Sequence, residues 1–293
     1  MLFEGFASHY IQVPEGEIFC RIGGSGPPLL LLHGYPETHL MWHRTAPALA
    51  SHYTVITADL RGYGASHVPA SDASHAAYSK RAMAADMIGL MDALGYHRFY
   101  LAGHDRGGRV AHRLVRDNPG RVAALSVLDI CPTLDMYETT DLAFATAYFH
   151  WFFLIQPSPM PENLIAADPE AWMESRLKRL AASNRFAEVE ADYLAAFRRP
   201  ERIHASCEDY RAAATIDLEH DRADRDQLVD IPIQVLWGEQ GIIGRFYDPL
   251  AVWQGYTTAK VSGQELPSGH FIPEEAPAET IAALHGFFSA SRL

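Results

Sequence analysis

Cysteine is scarce: Cys20, Cys131 and Cys207 are the whole complement, an odd number with no Cys-x-x-Cys spacing. Nothing there supports a disulfide framework or a zinc site, and a reducing cytoplasm fits. Basic residues are in deficit, 24 Lys and Arg against 36 Asp and Glu, which gives a formal net charge of −12. That argues against nonspecific affinity for nucleic acid or anionic membrane. A small anion would have to be held by positive charge concentrated at one place. No apolar run approaches the ~18 residues that span a bilayer, and the opening MLFEGFASHY lacks the basic start and apolar stretch of a signal peptide. The expected setting is cytoplasmic, without export or membrane insertion.

What the sequence does have is a series of short, largely apolar runs at residues 28–33, 54–58, 98–102, 123–128 and 233–237. Such runs suit strands buried on both faces of a parallel sheet. Helical patterns separate them, as at 83–94 and 110–115, so the fold class is α/β with a mainly parallel sheet. From residue 133 to 228 the rhythm changes to aromatic-rich amphipathic stretches (142–153, 171–182, 187–197) with no clear buried strand. This interval is expected to be a helical cap inserted into a core formed by residues 1–132 and 229–293. Ligands of open parallel sheets bind beyond the carboxyl ends of the strands, so residues at those ends are the first candidates.

Gly103-His104-Asp105-Arg106-Gly107 has the Gly-x-nucleophile-x-Gly layout of the nucleophile elbow, between a strand and a helix as that motif requires, and so implies the α/β-hydrolase fold. The nucleophile here is a carboxylate. The elbow implies an acid and then a histidine later in the chain. His270, in Leu266-Pro-Ser-Gly-His270-Phe, is the expected general base. The acid is expected to be Asp129, at the end of the preceding strand, because the position where such folds often carry it after residues 235–238 is Gly241; Glu239 is the alternative. His33 is expected to organise the loop after the first strand rather than to titrate.

A carboxylate attacking an acyl carbon would form a high-energy anhydride, whereas attack on an sp³ carbon bearing a leaving group forms a stable ester that water can open. Halides and epoxides are the matching substrates. Arg106 stands beside the nucleophile, and Arg109 one helical turn on, two guanidinium forks suited to a substrate carboxylate. Arg106 is expected to lack a protein partner, whereas Arg113 and Arg116 are expected to pair with nearby acids.

The segments Gly103-His-Asp-Arg-Gly-Gly-Arg-Val-Ala-His-Arg113, Tyr148-Phe-His-Trp-Phe-Phe-Leu-Ile-Gln-Pro157 and Ser206-Cys-Glu-Asp-Tyr-Arg211 resemble the fluoroacetate (haloacetate) dehalogenases. The likeness runs from His33-Gly34-Tyr35-Pro36 to Gly269-His270-Phe271. It implies displacement of halide by Asp105, orientation of His270 by Asp129, and binding of the substrate carboxylate by Arg106 and Arg109. It further implies a halide site of His150, Trp151 and a lid tyrosine, taken as Tyr210, together with a homodimer and no metal or organic cofactor. An epoxide hydrolase using lid tyrosines among Tyr137, Tyr148, Tyr193 and Tyr210 is the enzymatic alternative. A noncatalytic small-ligand receptor on the same fold is a third reading, disfavoured by the retention of Asp105, Asp129 and His270.

Overall fold

The computed structural model describes residues 2–182 and 186–293. Eight strands form one sheet: β1 (Phe6–Val13), β2 (Gly16–Gly23), β3 (Pro28–Leu32), β4 (Thr54–Ala58), β5 (Phe99–His104), β6 (Val122–Leu128), β7 (Ile233–Gly238) and β8 (Val261–Leu266), in the order β1-β2-β4-β3-β5-β6-β7-β8. β1 pairs with β2, and β2 with β4, in antiparallel fashion; every other pairing is parallel. The central strands β3, β5 and β6 are buried at every residue. Helices cover both faces, as a parallel sheet demands.

All five apolar runs are strands, with ends moved by a residue or two. The sequence reading did not anticipate β1, β2 and β8. β8, Val-Ser-Gly-Gln-Glu-Leu, is an edge strand with one buried side chain, and β1 is largely solvated. Neither carries the continuous apolar run that marks a strand covered on both sides.

Among the described residues, every named element between β6 and β7 is a helix, from Thr133–Glu138 to Ile216–Ala223. The stretch at 142–153 is two helices, Leu142–Ala147 and Phe149–Leu154, broken at Tyr148 (φ −101°, ψ 33°). That break turns His150 and Trp151 inward, where both are buried. No described helix is long and apolar enough to cross a membrane. The parallel strands β3 to β7 all run the same way, so His33, Asp59, Asp105, Asp129 and Glu239 follow their carboxyl ends along one edge. The helices between β6 and β7 pack over that edge.

Candidate active site

β5 runs directly into the helix Asp105–Asp117, with His104 extended and Asp105 at φ 42°. A left-handed conformation costs a non-glycine residue on the order of 1–3 kcal/mol and persists only where the surroundings enforce it. Here they do, by close approach. A Cβ on Gly103 would lie 2.5 Å from the Gly107 carbonyl oxygen, and one on Gly107 would lie 2.5 Å from that of His33. Asp105 is thereby raised off the sheet, and its Oδ2 accepts the backbone N–H of Tyr35 at 3.1 Å. Burial would raise its carboxyl, but the charges of His270, Arg109 and Arg106 hold it below the ordinary value. The carboxylate is ionised at neutral pH.

Asp129 is also left-handed, at φ 51°. Its Oδ2 lies 2.6 Å from His270 Nδ1, and its Oδ1 accepts the Gly238 N–H at 3.1 Å. Glu239 is exposed and lies on the wall of an open cleft with Asp141 and Arg245, not beside His270. Burial lowers the His270 pKa, but the Asp129 hydrogen bond and charge, and then the charge of Asp105, outweigh it and raise it to about 9. At neutral pH the resting site therefore holds an imidazolium between two carboxylates. Converting Asp105 to a neutral ester removes one of the raising charges, so His270 loses its proton more readily in that state. We expect single-turnover hydrolysis of such an ester to accelerate with rising pH and level off at an apparent pKa below 9, while ester formation stays flat from pH 6 to 8. Rapid-quench kinetics would check this; an ester-hydrolysis rate that falls as pH rises would contradict it.

His104, not anticipated by the sequence reading, braces the His270 backbone. A carbonyl can only accept, so His104 Nε2 donates to the His270 carbonyl at 2.8 Å and Nδ1 faces Glu37 Oε2 at 3.1 Å. Burial lowers His104 to about 4, and Glu37 is raised to about 7 by its own burial. His104 is therefore neutral, with its Nδ1 facing the Glu37 carboxyl. His33 is likewise fixed: Nδ1 donates to the Gly34 carbonyl and Nε2 accepts the Leu60 N–H, at 2.8 and 3.0 Å.

Arg106 requires a correction. The sequence reading expected it to be unpaired, but Nε and Nη2 are bound to the Asp209 carboxylate at 2.9 and 2.6 Å, and Nη2 also reaches the Asp209 carbonyl at 2.8 Å. Asp209 lies 103 residues away on the helix Pro200–Ala214, a contact no local pattern reveals. Only Nη1 is left without a partner. Arg109 is tied by Nη1 to the Cys131 carbonyl and Thr133 Oγ1, while its Nε has no hydrogen bond and points 3.9 Å from Asp105 Oδ1. Arg113 pairs with Asp117, Asp221 and Asp224. Arg116 is held more loosely, through the Asp224 carbonyl and Asp221 at 3.8 Å.

Aromatic rings close the space above these groups. The Arg106 guanidinium lies 4.1 Å from the Tyr210 ring centroid and that of Arg109 lies 4.6 Å from Trp151. Tyr210 is 5.9 Å from His150 and 6.4 Å from Trp151, ring to ring. His150 Nδ1, Trp151 Nε1 and the Tyr137 hydroxyl are buried without hydrogen-bond partners. Burial, reinforced by Arg176, keeps His150 neutral. Tyr193 does not join them: its hydroxyl donates to Glu274 Oε1 at 2.8 Å. Buried polar groups are normally satisfied, and each exception calls for an explanation. Five of them in one neighbourhood, Arg106 Nη1 and Arg109 Nε included, point to a small polar guest.

The α/β hydrolase fold family matches residues 27–277. This chain belongs to the α/β hydrolases. A Burkholderia sp. fluoroacetate dehalogenase is 45% identical over 294 residues, covering 99% of this chain and 96% of that protein. A soluble epoxide hydrolase from Corynebacterium sp. (strain C12) is 32% identical over 99% of this chain and 96% of its own. The epoxide hydrolase CorEH, solved without ligand, superposes with a TM-score of 0.89 at 30% identity, covering 97% and 99% of the two chains. The resemblance to fluoroacetate dehalogenases drawn from the motifs is thus supported along nearly the whole length. These relatives are named for dehalogenation and for epoxide hydrolysis, so the choice turns on the groups around Asp105.

Proposed function

We propose that this α/β hydrolase converts haloacetates to glycolate and halide through an ester of Asp105. The observation that carries this reading is the cluster of buried, unpartnered nitrogens around the nucleophile elbow: Arg109 Nε, 3.9 Å from the Asp105 carboxylate, Arg106 Nη1, and the ring nitrogens His150 Nδ1 and Trp151 Nε1 on the helix that packs against Tyr210. In the first step an Asp105 oxygen forms a bond to the substrate methylene carbon as the carbon–halogen bond breaks, and halide departs with the electron pair. Arg106 Nη1 and Arg109 Nε hold the substrate carboxylate. His150, Trp151 and Tyr210 receive the halide, with hydrogen bonds that strengthen as its charge develops. In the second step water attacks the acyl carbon of the ester, His270 takes the proton, and Asp129 stabilises the imidazolium. The Tyr35 N–H is placed to donate to the carbonyl oxygen as it becomes an oxyanion. Displacement inverts the attacked carbon, and ester opening leaves that configuration untouched. Residues 133–228 act as the cap that excludes water, and a cytoplasmic homodimer belongs to the same reading.

Epoxide hydrolysis is the second reading. It is favoured by the buried, unpartnered hydroxyl of Tyr137, which a ring oxygen could accept from. Halide and glycolate release from fluoroacetate, chloroacetate and bromoacetate, with styrene oxide as control, separates the two. The proposal requires halide and glycolate in equal amounts from at least one haloacetate; diol from styrene oxide alone would overturn it. Within that assay Arg109→Gln should raise KM for chloroacetate roughly thirtyfold, about 2 kcal/mol for a charge-assisted hydrogen bond. An unchanged KM would remove Arg109 from carboxylate binding.

A further inference from the structure

Asp209 poses a problem for anion binding at Arg106. A carboxylate bound through both oxygens to one edge of a guanidinium neutralises it, and a neutral pair attracts a substrate anion far less than a free cation does. Asp209 is fully buried, and Arg106 fills one side of it. The other partners of Asp209 are the Tyr63 hydroxyl, 2.7 Å from Oδ2, and the Lys80 ammonium, in contact with Oδ1. Lys80 is itself buried, 3% exposed, and is the first residue of the helix Lys80–Ala93. That is a costly station for a lysine, withdrawn from water and at the positive end of a helix. No acidic residue of its own first turn offsets it. Its further partner, Asp217, accepts the Lys80 backbone N–H at 2.8 Å, with Oδ2 at 3.4 Å from the ammonium. Asp217 thus meets the ammonium at a longer range than Asp209, whose Oδ1 is in direct contact with it.

We propose that Lys80 is a positioning residue for anion recognition: its ammonium offsets Asp209, so that Lys80, Asp209 and Arg106 together keep one positive charge and Arg106 Nη1 remains effective toward a substrate carboxylate. The inference rests on reading the chamber above Asp105 as a carboxylate site. It makes Asp209 a rigid two-sided clamp rather than a neutralising partner. Arg106 keeps its geometry from Asp209 and its usable charge from Lys80.

Titration calorimetry with acetate and with acetamide, which match in size and differ in charge, tests this independently of turnover. Lys80→Met should weaken acetate binding about tenfold or more, as expected for one charge removed at this range in a partly screened interior. Acetamide binding should change less than twofold, and Lys80→Arg should restore acetate. The double variant Lys80→Met with Asp209→Asn, which removes both charges and leaves Arg106 cationic, should bind acetate several times more tightly than Lys80→Met alone. It also removes the Asp209 carboxylate that Lys80→Met would strand, while Asp217 keeps the backbone N–H of residue 80 at 2.8 Å, so it carries the test if the single variant fails to fold. Equal weakening of acetate and acetamide, or a double variant no better than the single one, would reduce Lys80 to a structural role and overturn the proposal. If the wild type binds acetate in a Lys80-dependent way but releases no halide from any haloacetate, the haloacetate reading falls and the Lys80 inference stands. Halide release with acetate binding unchanged in Lys80→Met gives the converse.

Discussion

Asp105→Asn is expected to abolish halide release from haloacetates, by at least about 10⁴-fold in kcat, the scale seen when an essential nucleophile is removed. An amide is nearly the same size as the carboxylate but carries no charge, and its oxygen is too weak a nucleophile to displace halide. The variant should fold normally. Asn tolerates the left-handed region as well as Asp does, so the φ of 42° is retained without added strain. The amide oxygen can still accept the Tyr35 N–H that Asp105 Oδ2 accepts at 3.1 Å. What is lost is the negative charge that faces His270 and the two arginines. Because Asp105 helps raise His270, the imidazole of the variant should also titrate below about 9, which NMR of the ring protons would follow. Halide release above a few per cent of wild type, with the melting temperature unchanged and no reversion of Asn to Asp by mass, would exclude Asp105 as the nucleophile.

The elements legible in the sequence are those whose physical cause is local. The elbow announces itself because its glycines and its strand-to-helix setting are contiguous, although only Gly103 is required by the turn's own backbone, the Gly107 carbonyl, while Gly107 is required by the His33 carbonyl beyond β3. β3 and β6 are legible because both faces are covered and nearly every residue is apolar, Ser126 of β6 being bonded to Gln234. β1 and β8 are not, since one solvated face or an edge position dilutes the pattern. The 2.6 Å contact between His270 and Asp129 spans 141 residues. Sequence could suggest it only because chain order in such folds is fixed and Gly241 leaves the usual acid position empty.

Partnerships without a chain-order rule stayed hidden. Arg106 and Asp209 were both in view, one in the elbow and the other in the Ser206–Arg211 segment, yet nothing local joins them. Lys80 reads as the ordinary first residue of a helix until its burial is known. Glu37 follows the His33-Gly34-Tyr35-Pro36 turn and His104 sits inside the elbow itself, but their 3.1 Å contact joins residues 67 apart in the chain. Electrostatic support for a site is assembled across elements, and so it is the part that a linear pattern carries least.

His270→Ala separates the two chemical steps, and its expected result is a trapped protein. The first step needs the Asp105 carboxylate, the substrate held in line and a set of halide donors, none of which is His270. The second needs a base, because water at neutral pH adds too slowly to an ester. Removing a general base typically costs 10² to 10⁴ in rate. The variant should therefore release about one halide per chain in a burst and then nearly stop, with the intact protein heavier by one carboxymethyl group carried on Asp105. The burst itself should be slower than the wild-type first step, because the resting imidazolium also contributes positive charge next to an anionic substrate. Removing the ring leaves the buried Asp129 without its strongest partner, its Oδ1 retaining the Gly238 N–H at 3.1 Å, so some loss of melting temperature accompanies the trap. His270→Gln, which can still donate toward Asp129, should show the same burst with less destabilisation. In the wild type, one turnover in ¹⁸O-water should place the heavy oxygen in Asp105 and leave the first glycolate unlabelled, because water attacks the acyl carbon and glycolate keeps the original aspartate oxygen. Label in that first glycolate, or steady turnover by both His270 variants, would mean that water attacks the substrate carbon directly and that no ester forms.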